Sequence, residues 1–197
     1  MYMRGFDGND RMSTEIEAKI KVPDLPAVRE KLESAGAQRR RKDLETNSFF
    51  DTPEHSLQSA DKGLRIRVAV DESGESRCTI TMKGPAEQGQ FKIRQETEFS
   101  ADDPEAARAL FENLGYHLTL SFEKRREMWM LGECEVDLDE LPYLGAYVEI
   151  EGPAERDVDA VRRLLGLENL PVIKTGYISM LAKYLEQHQI KERQIRF

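Results

Sequence analysis

The chain has 197 residues, 34% of them charged and 39% apolar, with 29 Lys+Arg against 37 Asp+Glu and a formal net charge of −8. That length suits a single domain with a proper core. The acidic balance excludes the large basic footprint that non-specific nucleic-acid binding or adhesion to an anionic membrane surface requires. Two cysteines, Cys78 and Cys134, are too few for a disulfide framework, and the three scattered histidines, His55, His117 and His188, add no zinc-ligand spacing. No apolar run approaches the ~20 residues of a membrane span. The opening MYMRGFDGNDRMSTE lacks the apolar centre of a signal peptide, so a cytoplasmic location is expected. Met12 offers a second start; residues 1–12 are expected to be a disordered or non-native extension, and 13–190 a single domain.

In chain order, the first strand signal is Ile16, Ala18 and Ile20 alternating with Glu15, Glu17, Lys19 and Lys21. VPDLPAVREKLESAGA predicts a helix, with Asp24 as cap, Pro26 in the first turn, Leu25, Val28 and Leu32 on one face, and Gly36 as the stop. Leu64, Ile66 and Val68 then alternate with Arg65 and Arg67, and Cys78, Ile80 and Met82 with Arg77, Thr79, Thr81 and Lys83. Phe91, Ile93, Gln95, Thr97 and Phe99 alternate with Lys92, Arg94, Glu96 and Glu98. ADDPEAARALFENLGY repeats the helix recipe: Asp103 as cap, Pro104, a stripe of Ala107, Leu110, Phe111 and Leu114, and Gly115 as terminator. Val136 and Leu138 alternate with Glu135, Asp137 and Asp139, and Val148 and Ile150 with Tyr147, Glu149 and Glu151. ERDVDAVRRLLGLE predicts a third helix with Asp157 as cap, Val161, Leu164 and Leu165 inside and Gly166 at its end. Residues 175–189 predict a fourth, with Ile178, Leu181, Tyr184 and Leu185 on one stripe.

Because strand side chains alternate between two faces, each of these strands has one apolar and one charged face. Antiparallel pairing with helices over the apolar side, an α+β fold, is the simplest architecture. An acidic-x-acidic strand precedes each of the first three helices, as Glu15-Ile16-Glu17, Glu96-Thr97-Glu98 and Glu149-Ile150-Glu151, which reads as recurring supersecondary structure rather than a solenoid.

The commonest reason for a charged strand face is exposure to solvent. Here the faces carry nearly unbroken charge, and the signs are sorted: Arg65, Arg67, Lys83, Lys124 and Arg126 on some strands, and Glu15, Glu17, Asp137, Asp139, Glu149 and Glu151 on others. A sheet that curled into a barrel with helices outside would turn these faces inward. Such an interior must be wet and must hold something that complements both signs. Carboxylate clusters select hard divalent cations, and Arg and Lys clusters select phosphate. A metal-bound polyphosphate answers both demands.

Glu15-Ile16-Glu17-Ala18-Lys19 resembles the ExExK signature of the CYTH superfamily, the triphosphate tunnel metalloenzymes. NSFFDTP, GLRIR, TMKG, RQETEF, EKRRE and VDLDELPYLGAYVEIEG follow in the order of that family, so the resemblance covers residues 15–184. It implies an antiparallel barrel of about eight strands, with helices packed outside, that forms an open tunnel for a triphosphate. Glu15, Glu17, Glu149 and Glu151 resemble its ligands for Mg²⁺ or Mn²⁺. Lys19, Arg65, Arg67, Lys83, Arg94, Lys124 and Arg126 resemble the groups that grip phosphate, the last two with a share in catalysis. Asp139 matches the catalytic aspartate of an LD element, Asp137 shares its face, and Lys174 resembles a basic position ahead of a C-terminal tyrosine motif, here TGY at Tyr177. By strand parity Glu96 and Glu98 are expected to pair with lumen bases, and Arg125 and Glu127 to lie on the surface.

The shared site specifies that a triphosphate binds but not where it is cut. Hydrolysis of inorganic triphosphate asks least, since it needs no base recognition, and is the leading expectation. Class IV adenylyl cyclase, converting ATP to cyclic AMP and pyrophosphate, is the alternative. Thiamine triphosphatase comes third, because no aromatic clamp stands out beyond Trp129. A non-catalytic polyphosphate binder would have little use for the full carboxylate set. The expected partner is thus a small-molecule triphosphate rather than nucleic acid or membrane, and an open barrel with an apolar rim is compatible with a homodimer.

Overall fold

The computed structural model describes residues 11–87 and 89–197, apart from the side chains of residues 11–13 and 15. Most of the segment read as an N-terminal extension lies outside the described residues. In chain order the elements are β1 (Arg11–Lys21), α1 (Pro26–Ser34), β2 (Gln38–Asp51), the single turn α2 (Ser56–Ser59), β3 (Gly63–Asp71), β4 (Ser76–Lys83), β5 (Lys92–Ala101), α3 (Pro104–Asn113), β6 (His117–Leu131), β7 (Cys134–Leu141), β8 (Gly145–Glu151), α4 (Glu155–Leu164), α5 (Tyr177–Gln187) and β9 (Gln194–Ile195).

The strands neighbour one another in the order β2-β3-β4-β5-β1-β8-β7-β6, and β6 pairs back onto β2. That last pairing closes eight antiparallel strands into a barrel and leaves no sheet edge among them. The closing strands are also the longest, at 14 and 15 residues, and register shifts at Arg39/Arg41 and Phe49/Phe50 let them bend around the barrel. β9 adds a short parallel pairing to β6 at Ser121 and Phe122, beyond the stretch of β6 that β7 occupies.

The apolar strand faces point outward, and the helices cover them. α1 and α4 place Val28, Leu32, Val158, Val161 and Leu165 on Ala18, Ile20, Val136, Leu138, Val148 and Ile150. α3 places Ala107 and Phe111 on Phe50, Leu64, Ile66 and Ile80. α5 differs, because it packs at one end of the lumen, placing Leu181 and Leu185 on Leu120, Phe122, Leu141 and Tyr147 of the inward faces of β6, β7 and β8. Each such apolar side chain contributes about 1.5–3 kcal/mol on burial, and the arrangement leaves the charged faces to the lumen.

Local chemistry explains where the helices start and where the sequence expectation needs correcting. Asp103 caps α3 as anticipated, accepting from the Glu105 and Ala106 amides at 2.9 and 3.0 Å. The residue before α1 is Leu25, and Asp24 reaches only the Ala27 amide, at 3.3 Å. α4 starts at Glu155 after Ala154, so Asp157 is not its cap; it lies in the first turn, where a carboxylate faces the positive end of the helix. Leu110, Leu114 and Leu164, expected inside, are 56%, 64% and 60% exposed, because these helices are covered on one side only and the buried stripe is narrow. Glu127, expected on the surface, is buried beneath α1 and accepts from Arg29 Nε and Nη2 at 3.0 and 2.9 Å. Arg125 does face outward, paired with Glu140 at 3.2 Å. Among the described residues no helix is long and apolar enough to cross a membrane.

Candidate active site in the barrel

Strand register turns the sorted signs of the sequence into a ladder of opposite charges around the lumen. Glu17 of β1 lies opposite Lys92 of β5, and Lys19 opposite Glu149 of β8. Arg126 of β6 lies opposite Asp139 of β7, and Glu45 of β2 opposite Lys124. Lys83 and Glu96 meet across β4 and β5. Acids on one strand at i and i+2 share a face, which brings Glu135 and Asp137 of β7 opposite Glu151 and Glu149 of β8, while Asp139 lies opposite Tyr147.

The lumen opens into two cavities. One, of about 1040 Å³, lies toward α5, and Phe49, Leu118, Leu120 and Ile178 join Glu17, Lys92 and Arg94 in its wall. The other, of about 740 Å³, is walled by Asp43, Glu45, Glu96, Glu98, Glu135 and Glu151 with Arg41 and Arg77. Arg65, Arg67, Lys83 and Arg126 line both, so four of the bases expected to grip phosphate occupy the waist of a tunnel.

Arg126 is the hub of the ion pairs. It reaches Asp137, Asp139 and Glu149, with its Nε 2.7 Å from Asp139 Oδ1. Burial alone lowers the pKa of this guanidinium, but Asp137, Asp139 and Glu45 outweigh burial and raise it well above its ordinary value. Lys124 is shared between Glu45 and Asp139 at 3.3 Å each. Burial opposes charge on Glu45 as well, yet Arg67, Lys124, Arg126 and Arg65 together hold its carboxyl well below the usual range. Arg65 is less well matched: burial and the like charge of Arg67 push it down to about 10 against the pull of Glu96, Glu45 and Glu98. The Nε atoms of Arg65, Arg67 and Arg94 are buried without a hydrogen-bond partner. Arg67 Nε does face Glu45 Oε2, at 3.6 Å, beyond hydrogen-bond reach; buried donors left without a hydrogen bond are costly unless an anion completes them.

Of the expected metal ligands, Glu17 and Glu149 share Lys19 and are engaged with bases, whereas Glu151, opposite Glu17 in register, is exposed and lines the narrower cavity. Glu17 Oε1 lies 3.2 Å from Lys19 and Oε2 3.1 Å from Lys92, while Glu149 faces Lys19 at 3.0 Å and also Arg126. The side chain of Glu15 lies outside the described residues. Among the described residues no three carboxylate, histidine or cysteine side chains converge on one point as a metal ion requires. The donor set nonetheless suits a hard cation, being all carboxylate oxygens on adjacent strands, and the nearby Asp137 Oδ1 is buried without a hydrogen bond. Burial, with Asp139 and Glu135 nearby, raises the Asp137 pKa well above the carboxylate range in spite of Arg126.

Other placements differ in kind. Lys19 is 1% exposed, wedged between Glu17, Glu149 and the ring of Tyr177. Arg94 reaches outward to Asp61 at 2.6 Å, at the rim of the wider cavity. Lys174 is exposed and donates to the Gly89 carbonyl. Asp139 has no exposed surface. The sequence reading gave no role to Glu45, Asn47 or Lys92. All three are buried in the lumen wall, where Lys92 donates to Glu17 at 3.1 Å and Asn47 to Glu45 at 3.3 Å. Lys92 was accessible to the same parity argument that marks Arg94.

Residues 13–174 match the family model described as the CYTH domain, which is most of the chain. The chain belongs to the CYTH family. Among curated proteins it is 31% identical over 137 residues to a protein of Methanocaldococcus jannaschii provisionally named an adenylate cyclase, spanning 70% of this chain and 75% of that one. It is likewise 31% identical over 137 residues to the adenylate cyclase CyaB of Aeromonas hydrophila, spanning 69% and 67%. Among solved structures, a Pyrococcus horikoshii protein superposes with a TM-score of 0.76 at 23% identity, over 86% of this chain and 99% of that one. A Hippeastrum protein provisionally named an adenylyl cyclase, and described by a dominant triphosphatase activity, does so at 0.67 and 16% identity, over 88% and 96%. These two structural likenesses speak to the tunnel fold alone.

Proposed function

We propose that this CYTH protein is a divalent-metal-dependent enzyme that draws a triphosphate into its barrel and hydrolyses it. The observation that carries the reading is the clustering of Arg65, Arg67, Lys83 and Arg126 at the waist common to both cavities, with the Nε of Arg65 buried and without a hydrogen bond and that of Arg67 held only by a 3.6 Å ion pair to Glu45. Guanidinium groups offer planar forks that match phosphate oxygens. Several of them in line suit a chain of phosphates better than a single one. Lys83, Lys124 and Arg126 complete the grip and balance charge as it shifts to the leaving group. Glu17, Glu149 and Glu151, with Glu15, would hold Mg²⁺ or Mn²⁺, and Asp137 adds a further oxygen. Such a cation, when bound, supplies Lewis-acid polarisation of phosphoryl oxygens. Asp139 accepts from Arg126, Lys124 and Tyr177, which leaves it the task of aiming those groups rather than taking a proton. Cys78 and Cys134 stay as free buried thiols, as a reducing cytoplasm would keep them.

A second reading, cyclisation of ATP to cyclic AMP and pyrophosphate, is favoured by the cavity of about 1040 Å³, whose mixed wall carries an apolar stretch of Phe49, Leu118, Leu120 and Ile178 and has room for a nucleoside beside the phosphate grip. The names of the two curated relatives point the same way. Purified protein incubated with Mg²⁺ or Mn²⁺ and either inorganic triphosphate or ATP separates the two. Phosphate release from triphosphate is expected, and cyclic AMP formation well above that rate would reverse the order. Glu17→Gln should cut turnover by about a hundredfold or more, and unchanged turnover would refute the metal assignment.

A further inference from the structure

α5 inserts its first residue into the lumen wall. The Tyr177 hydroxyl donates to Asp139 Oδ2 at 3.0 Å, and its ring lies 4.2 Å from Lys19 Nζ and 5.5 Å from Lys124 Nζ. Lys19 also donates to the Thr175 carbonyl at 3.3 Å, so the entry to α5 holds that lysine twice. The Tyr177 ring is itself held edge-on by Tyr147, with centroids 5.3 Å apart. Asp139 accepts from Arg126 Nε at 2.7 Å, Arg126 Nη2 at 2.6 Å and Lys124 Nζ at 3.3 Å. Each carboxylate oxygen has about two lone-pair sites, and three donors, Arg126 Nη2, Lys124 Nζ and the Tyr177 hydroxyl, share Oδ2, so the hydroxyl competes with Lys124 for that oxygen. Burial, with Asp139 and Glu149 nearby, raises the Tyr177 pKa, so the hydroxyl stays a donor.

We propose that Tyr177 is a positioning residue, whose hydroxyl occupies Asp139 Oδ2 and so keeps Lys124 from collapsing onto Asp139 and away from the tunnel. Lys124 sits midway between Glu45 and Asp139, and it lines the wider cavity. Loss of the hydroxyl removes Lys124's competitor at Oδ2, so the lysine can shorten its 3.3 Å contact with Asp139 at the expense of the one with Glu45. The ring face opposes that drift as a second, weaker hold. The inference rests on the reading of the lumen as a triphosphate site.

The test is a calorimetric titration with diimidotriphosphate, a slowly cleaved triphosphate analogue, in the presence of Mg²⁺. It compares the natural chain with Tyr177→Phe, Lys124→Met and the double variant, together with their melting temperatures. Tyr177→Phe keeps the ring and its packing, and is expected to weaken binding about fivefold. In the Lys124→Met background the same change is expected to cost less than about twofold, because the lysine it acts through is gone. Equal binding by Tyr177→Phe, or full additivity with Lys124→Met, overturns the proposal. So does a lowered melting temperature with unchanged affinity, which would make the tyrosine merely structural. Absence of binding by the natural chain would instead refute the triphosphate reading itself.

Discussion

The two ends of the tunnel are built from the same strands and differ in what those strands turn inward. Along β6 the inward face runs from Leu120 and Phe122 to Lys124 and Arg126, and along β2 it runs from Phe49 back to Asn47 and Glu45. On β8 Tyr147 gives way to Glu149. The switch from carbon to charge falls where α5 packs, since Leu181 and Leu185 need an apolar partner at that end. At the opposite end no helix among the described residues packs into the lumen in this way, and the wall is held by side-chain pairs, with Arg77 2.8 Å from Asp43 and 3.5 Å from Asp71. The difference assigns tasks. A chamber with an apolar stretch in its wall accepts an organic group, a polar one accepts ions and water, and the shared waist of Arg65, Arg67, Lys83 and Arg126 holds what both readings have in common.

The largest effect is expected where the two ends meet. Arg126→Met strands Asp137, Asp139 and Glu149 without their common base. Breaking a buried pair by removing one partner costs about 3–5 kcal/mol, so a melting-temperature drop should accompany loss of turnover for every triphosphate tested. Retained activity would mean that the waist is not the phosphate site. Ile178→Gln is narrower in reach, because Ile178 faces the α5 end only. If a nucleoside lodges there, KM for ATP should rise about fivefold, an amount within reach of one lost apolar contact. KM for inorganic triphosphate should stay put. Equal shifts for both substrates would erase the distinction between the ends.

A third test concerns acid. The Glu45 carboxyl titrates well below its usual value in the fold, despite burial, because Arg67, Lys124, Arg126 and Arg65 surround it. A group with a depressed folded pKa stabilises fully above its unfolded pKa, about 4.3 for Glu, and loses that contribution as pH falls through the folded value. Stability should therefore decline on acidification below about pH 4. Glu45→Gln should be less stable near neutrality and lose less on the way down. Acid profiles of equal slope would refute the assignment.

The barrel was legible in the sequence wherever one strand face is apolar and the other charged. Ile16, Ala18 and Ile20 against Glu17 and Lys19 needed nothing more than period two. β2 escaped that argument because its outward positions Leu44, Thr46 and Ser48 are not covered by a helix; Leu44 is 42% exposed, so both faces read as polar. Glu45 and Asn47 were hidden with it. β6 is masked in the same way by Glu123, Arg125 and Glu127 on its outer side, and only its likeness to a family motif marked Lys124 and Arg126. Parity told which residues face the lumen but not how they pair. That Lys19 lies behind the wall, and that Asp139 is saturated by donors, follow from the register between β1 and β8 and from the arrival of α5, neither of which is written in any one strand.

The smallest effect is expected at the end away from α5. Arg77→Met removes the partner of Asp43, whose carboxylate is buried and keeps only Arg41 at 3.7 Å. Arg77 itself is about one-third exposed, at 32%, so water can re-solvate part of what is lost. The cost should lie near 1 kcal/mol, the lower part of the range for a buried acceptor that loses its donor. Asp43 lies opposite Arg126 in strand register, but its ion pairs run to Arg77 and Arg41 rather than to a base of the waist, so affinity for triphosphate should be unchanged within about twofold. A fall in triphosphate affinity as large as that expected of Tyr177→Phe would show that phosphate extends into the polar end. The waist would then be the middle of a longer binding track rather than its limit.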